Sequence, residues 1–256
     1  MLEWLRVRLA QRTRTAPYPA GDTGLPERFR GRPVLECAGD RPSASSLASV
    51  PTSLIHRDEN GRALLDLGAC LFSPEEAVES DGCRLRYTRE VSMAASTRAG
   101  LVTPSGEVEL ARALDSRLRR LLGRSLRLRS VVAGSCGGCE AELNATSNVV
   151  FDIARFGVQF VASPRHADGI VITGVVNRNM VDALRATYEA VPEPRIVIAV
   201  GSCPMSGGPF RGGAQVVGIP DDIPVDLWIP GCPPHPLTIL DGLLRLVGRL
   251  ETRGGS

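Results

Sequence analysis

From residue 128 onward, short apolar runs alternate with stretches of helical periodicity. The apolar runs lie at residues 128–133, 158–162, 169–173, 195–200 and 225–229, and the helical patterns at 141–156, 177–190 and 236–250. This alternation is typical of βαβ units, in which successive strands run parallel and helices cover the sheet. The sequence therefore predicts an α/β fold with a mostly parallel sheet over residues 128–250.

Four cysteines follow shortly after three of these apolar runs. Cys136 and Cys139 follow the first run, Cys203 follows the fourth and Cys232 follows the fifth. Because parallel strands end at one edge of a sheet, where α/β proteins bind their ligands, we expect the four thiols to meet. A zinc site of four cysteines normally has two close pairs, whereas one pair and two single cysteines favour a 4Fe–4S cluster. The Cys-x2-Cys pair alone would also fit a zinc knuckle or a redox dithiol.

Composition narrows the class of protein further. A net charge of +2 over 256 residues is too small to indicate a nucleic-acid partner. The seven cysteines are an odd number, which favours a reducing compartment over a disulfide framework. No apolar run reaches the ~20 residues that cross a bilayer, and no signal peptide opens the chain, so we expect a cytoplasmic protein. The turn at 207–209 lacks the Lys-Ser/Thr pair of a phosphate-binding loop, and no nucleotide is expected.

Changes in pattern divide the chain into five parts. These are an N-terminal amphipathic segment and linker at 1–30, a small first domain at 31–95, a linker helix at 96–127, the α/β domain at 128–250 and a tail at 251–256. The linker helix is predicted over 105–122, with Ser105 as its N-cap and leucines three or four residues apart. The amphipathic segment is basic, and it either packs on its own domain or docks on a partner protein or a membrane surface.

Residues 31–95 resemble a ferredoxin domain in the residues that flank its ligand loops. A ferredoxin with two 4Fe–4S clusters carries cysteines at Cys-x2-Cys-x2-Cys-x3-Cys-Pro spacing. In this chain the first four slots fall on Asp40, Ser43, Ser46 and Val50, and the second four on Cys70, Ser73, Glu76 and Ser80. One cysteine cannot hold a cluster, so we expect a small α+β ferredoxin-like domain that binds none. An unrelated small α+β segment is the alternative.

Five motifs of the second half resemble one family of redox proteins. They are GSCGGCE at 134–140, FDIARFG at 151–157, ASPRHAD at 162–168, GSC at 201–203 and PGCPP at 230–234. In these motifs the chain is similar to the small subunit of membrane-associated group 4 nickel-iron hydrogenases and formate hydrogenlyases. It is also similar to the related 20 kDa B-type subunit of respiratory complex I. The two residues between Cys136 and Cys139 match the hydrogenases, because the complex I proteins carry adjacent cysteines there.

The resemblance implies a flavodoxin-like sheet with one 4Fe–4S cluster at its C-terminal edge, held by Cys136, Cys139, Cys203 and Cys232. It also implies that single electrons pass between this cluster and a catalytic centre in a separate large subunit of the complex I D type. Membrane-arm subunits would hold the complex on the cytoplasmic face of the cell membrane. A complex I-like quinone oxidoreductase subunit is the first alternative, and a non-redox, zinc-bearing assembly module is the second.

Two further side chains near the cysteines are candidates for a role. Glu140 follows Cys139 directly, and its carboxylate would either relay protons at the boundary between two subunits or stabilise the start of the next helix, where the dipole favours negative charge. The sequence does not favour one of these roles over the other. His235, three residues after Cys232, is a candidate hydrogen-bond donor to a cluster sulfur.

Overall fold

The structure, a computed structural model, describes residues 3–21, 23–37, 54–60, 63–76, 79–80, 83–104, 106–122, 125–134 and 136–250. Four of the ferredoxin ligand slots, Asp40, Ser43, Ser46 and Val50, and the predicted N-cap Ser105 lie outside these residues.

The N-terminal segment begins with α1 (Glu3–Gln11), whose residues are all exposed. Its apolar side chains do not pack on the described part of the chain, since Trp4 and Leu9 remain 66% and 73% exposed. The connector that follows is attached to the second half. Thr15 Oγ1 donates to Val149 O at 3.0 Å, and Ala16 N donates to Val150 O at 2.7 Å.

Two small antiparallel sheets make up the described part of the first half. The strands are β1 (Pro33–Cys37), β2 (Ile55–Arg57), β3 (Ala63–Asp66), β4 (Glu79–Ser80), β5 (Cys83–Tyr87) and β6 (Val102–Thr103). They pair in the orders β1-β5-β4 and β2-β3-β6, with short 3-10 turns at Pro74–Glu76 and Ala99–Leu101. Leu54, Leu65 and Leu101 are fully buried in one apolar cluster, so this half has an apolar core of its own.

The linker helix is shorter than the sequence predicted. α2 spans Ser116–Leu122, and residues 107–115 belong to neither a helix nor a strand. Ala111 N donates to Ala94 O at 2.7 Å, and Leu114 N donates to Leu246 O at 2.9 Å. These tertiary hydrogen bonds use the N–H groups that a helix would need, so the prediction of a helix is wrong for this segment.

A five-stranded parallel sheet forms the second half. Its elements are β7 (Leu126–Val132), α3 (Gly138–Ala145), β8 (Val158–Phe160), β9 (Gly169–Thr173), α4 (Val181–Ala190), β10 (Ile196–Val200), α5 (Ser202–Ser206), β11 (Leu227–Ile229) and α6 (Pro236–Leu246). The strand order is β11-β10-β9-β7-β8, and every pairing is parallel. All residues of β9 and β10 are buried, as continuous apolar strands covered on both faces require. The predicted α/β fold is confirmed.

The first helix of this sheet ends earlier than predicted. α3 ends at Ala145 instead of residue 156. Directly after this end, Thr146 Oγ1 donates a hydrogen bond to Leu143 O at 2.6 Å. A separate 3-10 turn at Ile153–Phe156 completes the crossover to β8. No helix in the described ranges has both the length and the hydropathy that a membrane span requires.

The two halves pack closely on each other. Ala95 pairs with Trp228 of β11 through backbone hydrogen bonds of 3.0 and 2.9 Å. These bonds give partners to the backbone N–H and C=O of Trp228 on this edge strand of the parallel sheet. The side chains of Met205 and Trp228 pack against the core of the first half. Tyr18 donates to the buried Asp241 of α6 at 2.5 Å and holds the N-terminal connector in place.

Candidate metal centre

The four predicted cysteines lie at the same edge of the parallel sheet. Cys136 is exposed in the loop after β7, and Cys139 is buried in the first turn of α3. Cys203 is buried in the first turn of α5, directly after β10, and Cys232 is half-buried in the loop after β11. The C-terminal ends of three strands therefore deliver all four thiols to one region, where their charges affect one another. That they bind one metal-containing group stays a prediction.

Backbone hydrogen bonds fix the loops that carry these thiols. Gly201 N donates to Ile229 O at 2.9 Å, and Ser202 N donates to Gly231 O at 2.8 Å. These two bonds join the loop of Cys203 to that of Cys232. Asn177 N donates to Ala133 O at 2.9 Å and anchors the start of the first loop in the same way.

Two glycines leave room for the sulfur atoms. Gly201 has φ +95°, and a Cβ built there would lie 2.5 Å from Cys139 Sγ. Gly208 has φ +51°, and its Cβ would lie 2.9 Å from Cys203 Sγ. Real Cβ atoms do not approach other atoms this closely, and both φ values favour glycine. The positions of these two thiols therefore depend on the absence of a side chain at 201 and 208.

The thiols also affect one another electrostatically. Burial raises the pKa of the Cys139 thiol, and the negative charges of Cys203, Glu140, Cys232 and Cys136 raise it further. Burial, followed by the charges of Cys232 and Cys136, raises the pKa of Cys203 to about 11. Without a bound cation Cys139 and Cys203 thus stay protonated at neutral pH. A metal-containing group would have to displace these protons to bind thiolates.

Four cysteine thiols are the usual ligands of a 4Fe–4S cluster, and they also form zinc sites. Among the described residues, no group of three or more His, Cys, Asp or Glu side chains is arranged to hold one metal ion. A zinc ion needs all four sulfurs at about 2.3 Å from a single point. In a 4Fe–4S cluster each cysteine binds a different iron, so its ligands stand further apart. The donor set of four thiols, with the clearance for sulfur at Gly201 and Gly208, agrees in its chemistry with such a cluster.

Glu140 has a contact that the sequence did not indicate. It lies in the first turn of α3, and Thr173 Oγ1, at the end of β9, donates a short hydrogen bond to Glu140 Oε1. The carboxylate thereby ties the helix to the edge of the sheet. Its position in the first turn agrees with the predicted interaction with the helix dipole, and the proton relay stays a prediction.

His235 serves as the N-cap of α6. Its Nδ1 accepts a hydrogen bond from Leu237 N at 3.2 Å, and its ring packs edge-on against Phe29 and Phe151 at 5.2 and 5.6 Å. Burial lowers the pKa of this imidazole. The neutral ring therefore has only Nε2–H to donate, and a bond from His235 to a cluster sulfur stays a prediction.

Sequence reasoning missed the contribution of the first half to this region. The buried Ser202 Oγ donates to Cys70 O at 2.6 Å and lies 3.2 Å from Gly231 O. Phe72 and Cys232 line the same cavity, of about 290 Å³. The only signal in the sequence was that Cys70 stands in a ligand slot of the ferredoxin spacing.

The fold and the site together define an α/β protein in which loops at one edge of the sheet bring four cysteines together at a candidate metal centre. Residues 136–246 match the family described as NADH ubiquinone oxidoreductase, 20 Kd subunit. With the relatives below, this match shows that the chain belongs to this family of oxidoreductase subunits, and the predicted resemblance is confirmed.

Three relatives illustrate the range of the family. The chain is 41% identical over 137 residues to the probable membrane-bound hydrogenase subunit mbhJ of Pyrococcus furiosus, covering 53% of this chain and 81% of that one. It is 44% identical over 118 residues to the B subunit of NADH-quinone oxidoreductase from Citrifermentans bemidjiense, covering 46% and 69%. It is 39% identical over 155 residues to formate hydrogenlyase subunit 7 of Escherichia coli, covering 60% and 61%.

Proposed function

We propose that this chain is the electron-transfer subunit of a membrane-associated, hydrogenase-like complex. Cys136, Cys139, Cys203 and Cys232 would hold one 4Fe–4S cluster, through which single electrons pass to or from a catalytic large subunit. The observation that carries the proposal is the convergence of four thiols from three strand ends onto one sheet edge. The hydrogenase and formate hydrogenlyase subunits among the relatives support it.

The residues around the thiols suit an electron-transfer role. When bound, a 4Fe–4S cluster would supply a one-electron couple. Gly201 and Gly208 keep the sulfurs of Cys139 and Cys203 free of clashes. The hydrogen bonds between the loops of Cys203 and Cys232 hold the ligands rigidly, so little rearrangement accompanies a change of charge. A rigid set of ligands favours fast electron exchange.

The large subunit would dock where the centre is exposed. Cys136 is the exposed thiol, and two apolar residues of neighbouring segments, Val132 at the end of β7 and Phe210, are 46% and 45% exposed. A groove of about 720 Å³ runs between Gly134 and Phe210. Exposed apolar side chains beside a groove are typical of protein interfaces. Membrane-arm subunits would then hold the complex on the cytoplasmic face of the cell membrane.

Purification of the native complex tests this function. The tagged chain would be isolated anaerobically from membranes, and its partners identified and sequenced. We expect a large subunit with two Cys-x2-Cys pairs, the ligands of a nickel-iron centre, and a paramagnetic signal of the reduced cluster that develops under hydrogen. A chain that purifies without a large subunit, or that contains zinc and no iron, would contradict the proposal.

Coupling to quinone is the second candidate. It is favoured by the 44% identity to the B subunit of an NADH-quinone oxidoreductase. In that case the large subunit lacks the two Cys-x2-Cys pairs, and quinol in place of hydrogen reduces the cluster. The same purified complex therefore distinguishes the two functions.

A further inference from the structure

A buried carboxylate lies in the first half, next to the candidate metal centre. Glu76 is 3% exposed and ends the 3-10 turn Pro74–Glu76. Its oxygens accept hydrogen bonds from Leu71 N at 3.0 Å, Ser73 N at 3.1 Å and Tyr87 OH at 2.9 Å, and Cys70 Sγ lies 3.4 Å away. None of the ion pairs among the described residues includes Glu76. Its negative charge is thus held by hydrogen bonds and is not neutralised by a cation there.

The loop around Glu76 has the form of an anion-binding loop. Cys70, Ser73 and Glu76 stand at the Cys-x2-Cys-x2-Cys spacing of a ferredoxin. Backbone N–H groups of such loops are aimed at cluster sulfurs, which carry negative charge. Here the N–H groups of Leu71 and Ser73 donate to the carboxylate of Glu76 instead. The side chain therefore fills the loop as an internal anion.

This loop touches the loops that carry two of the four thiols. Cys70 O accepts the hydrogen bond of Ser202 Oγ, the residue before Cys203. The same hydroxyl lies 3.2 Å from Gly231 O, the residue before Cys232. Glu76 is one residue away from this contact, because Cys70, whose carbonyl accepts the bond from Ser202, also lies with its Sγ 3.4 Å from Glu76 Oε2.

We infer that Glu76 is a positioning residue whose fixed negative charge lowers the reduction potential of the cluster at Cys136, Cys139, Cys203 and Cys232. Reduction adds one electron to the centre and transfers no atom, so a nearby buried anion disfavours the reduced state. The inference rests on the proposed function, because it requires the cluster to be present. It gives the first half a role in electron transfer that does not need a cluster of its own.

The test is the midpoint potential of Glu76→Gln in the full-length, cluster-loaded chain. Glutamine keeps the shape and an acceptor oxygen but removes the charge. For the loss of one partly screened charge we expect the ratio of reduced to oxidised cluster at a fixed potential to rise about tenfold, which is a shift of about 59 mV to more positive values. Glu36→Gln is the matched control, since Glu36 is exposed in the same half and pairs with Arg86. We expect its potential to equal that of the unchanged chain.

A second variant keeps the inference testable if Glu76→Gln does not fold. Tyr87→Phe removes one hydrogen bond to the carboxylate and leaves the charge, so the potential should shift to more negative values. An unchanged potential in a folded, fully loaded Glu76→Gln variant, or in Tyr87→Phe where only that variant folds, overturns the inference. If the unchanged chain binds no iron, the proposed function itself has failed, which iron analysis shows separately.

Discussion

Replacement of Gly201 by alanine tests whether the four thiols form one centre. A Cβ at Gly201 would lie 2.5 Å from Cys139 Sγ. Non-bonded heavy atoms are most stable at about 3.5–4.0 Å, so the sulfur has to move by at least about 1 Å. Metal–ligand distances are held to within about 0.2 Å, and a movement of this size breaks the bond to Cys139. We expect Gly201→Ala to lose most of its iron.

Gly137→Ala is the matched control for this substitution. Gly137 directly follows Cys136 and also has a positive φ, +86°, but a Cβ there meets no atom within 4 Å. Both variants carry a backbone cost of about 1–3 kcal/mol for alanine at positive φ. Only Gly201→Ala displaces a thiol.

The assay is iron content and visible absorption of the anaerobically purified chain, with thermal unfolding as the measure of folding. The expected result is a folded Gly201→Ala variant with little iron and a Gly137→Ala variant with nearly full iron. Full iron in Gly201→Ala, or an equal loss in both variants, would refute the view that Cys139 and Gly201 meet at a cluster.

Two further predictions concern stability. Arg98→Met should lower the free energy of unfolding by about 3 kcal/mol, because it leaves the buried Asp66 without its bidentate partner. Arg86→Met is the control: it breaks only an exposed pair and should cost less than about 1 kcal/mol. Urea titration measures the free energy of unfolding of both variants. The metal-free chain should lose stability as pH rises from about 9 to about 11, because the raised pKa of Cys203 makes the folded state bind more protons than the unfolded state in that window. Cys203→Ser should make this pH dependence less steep, while the raised pKa values of Cys139 and Cys232 leave part of it, and an identical slope in that variant would count against the role of Cys203.

The parallel sheet and the location of the cysteines could be predicted because both depend on local sequence. β9 and β10 are continuous apolar runs, which only strands covered on both faces accommodate at this length. Once these strands are parallel, topology brings Cys203 and Cys232 to one edge. The pattern of residues thus determines the region of the centre without any knowledge of side-chain geometry.

The contacts made by the first half could not be predicted, because they depend on tertiary structure. The leucine spacing over 105–122 is helical, yet the N–H groups of Ala111 and Leu114 bond to distant carbonyls and the helix begins only at Ser116. Glu76 stood out in the sequence only as a ligand slot without cysteine. Nothing in the pattern indicated that its carboxylate would accept the N–H groups of Leu71 and Ser73. The bond from Thr173 to Glu140 was missed for the same reason.

The central claim is that this chain holds one 4Fe–4S cluster, at Cys136, Cys139, Cys203 and Cys232. The most direct test is the content of iron, acid-labile sulfide and zinc in the anaerobically purified full-length chain, measured beside Cys232→Ser. The account predicts about four irons and about four sulfides per chain, with both lost in the variant. About one zinc and no iron would contradict it, and so would about twelve irons, the content expected if the first half also held two clusters.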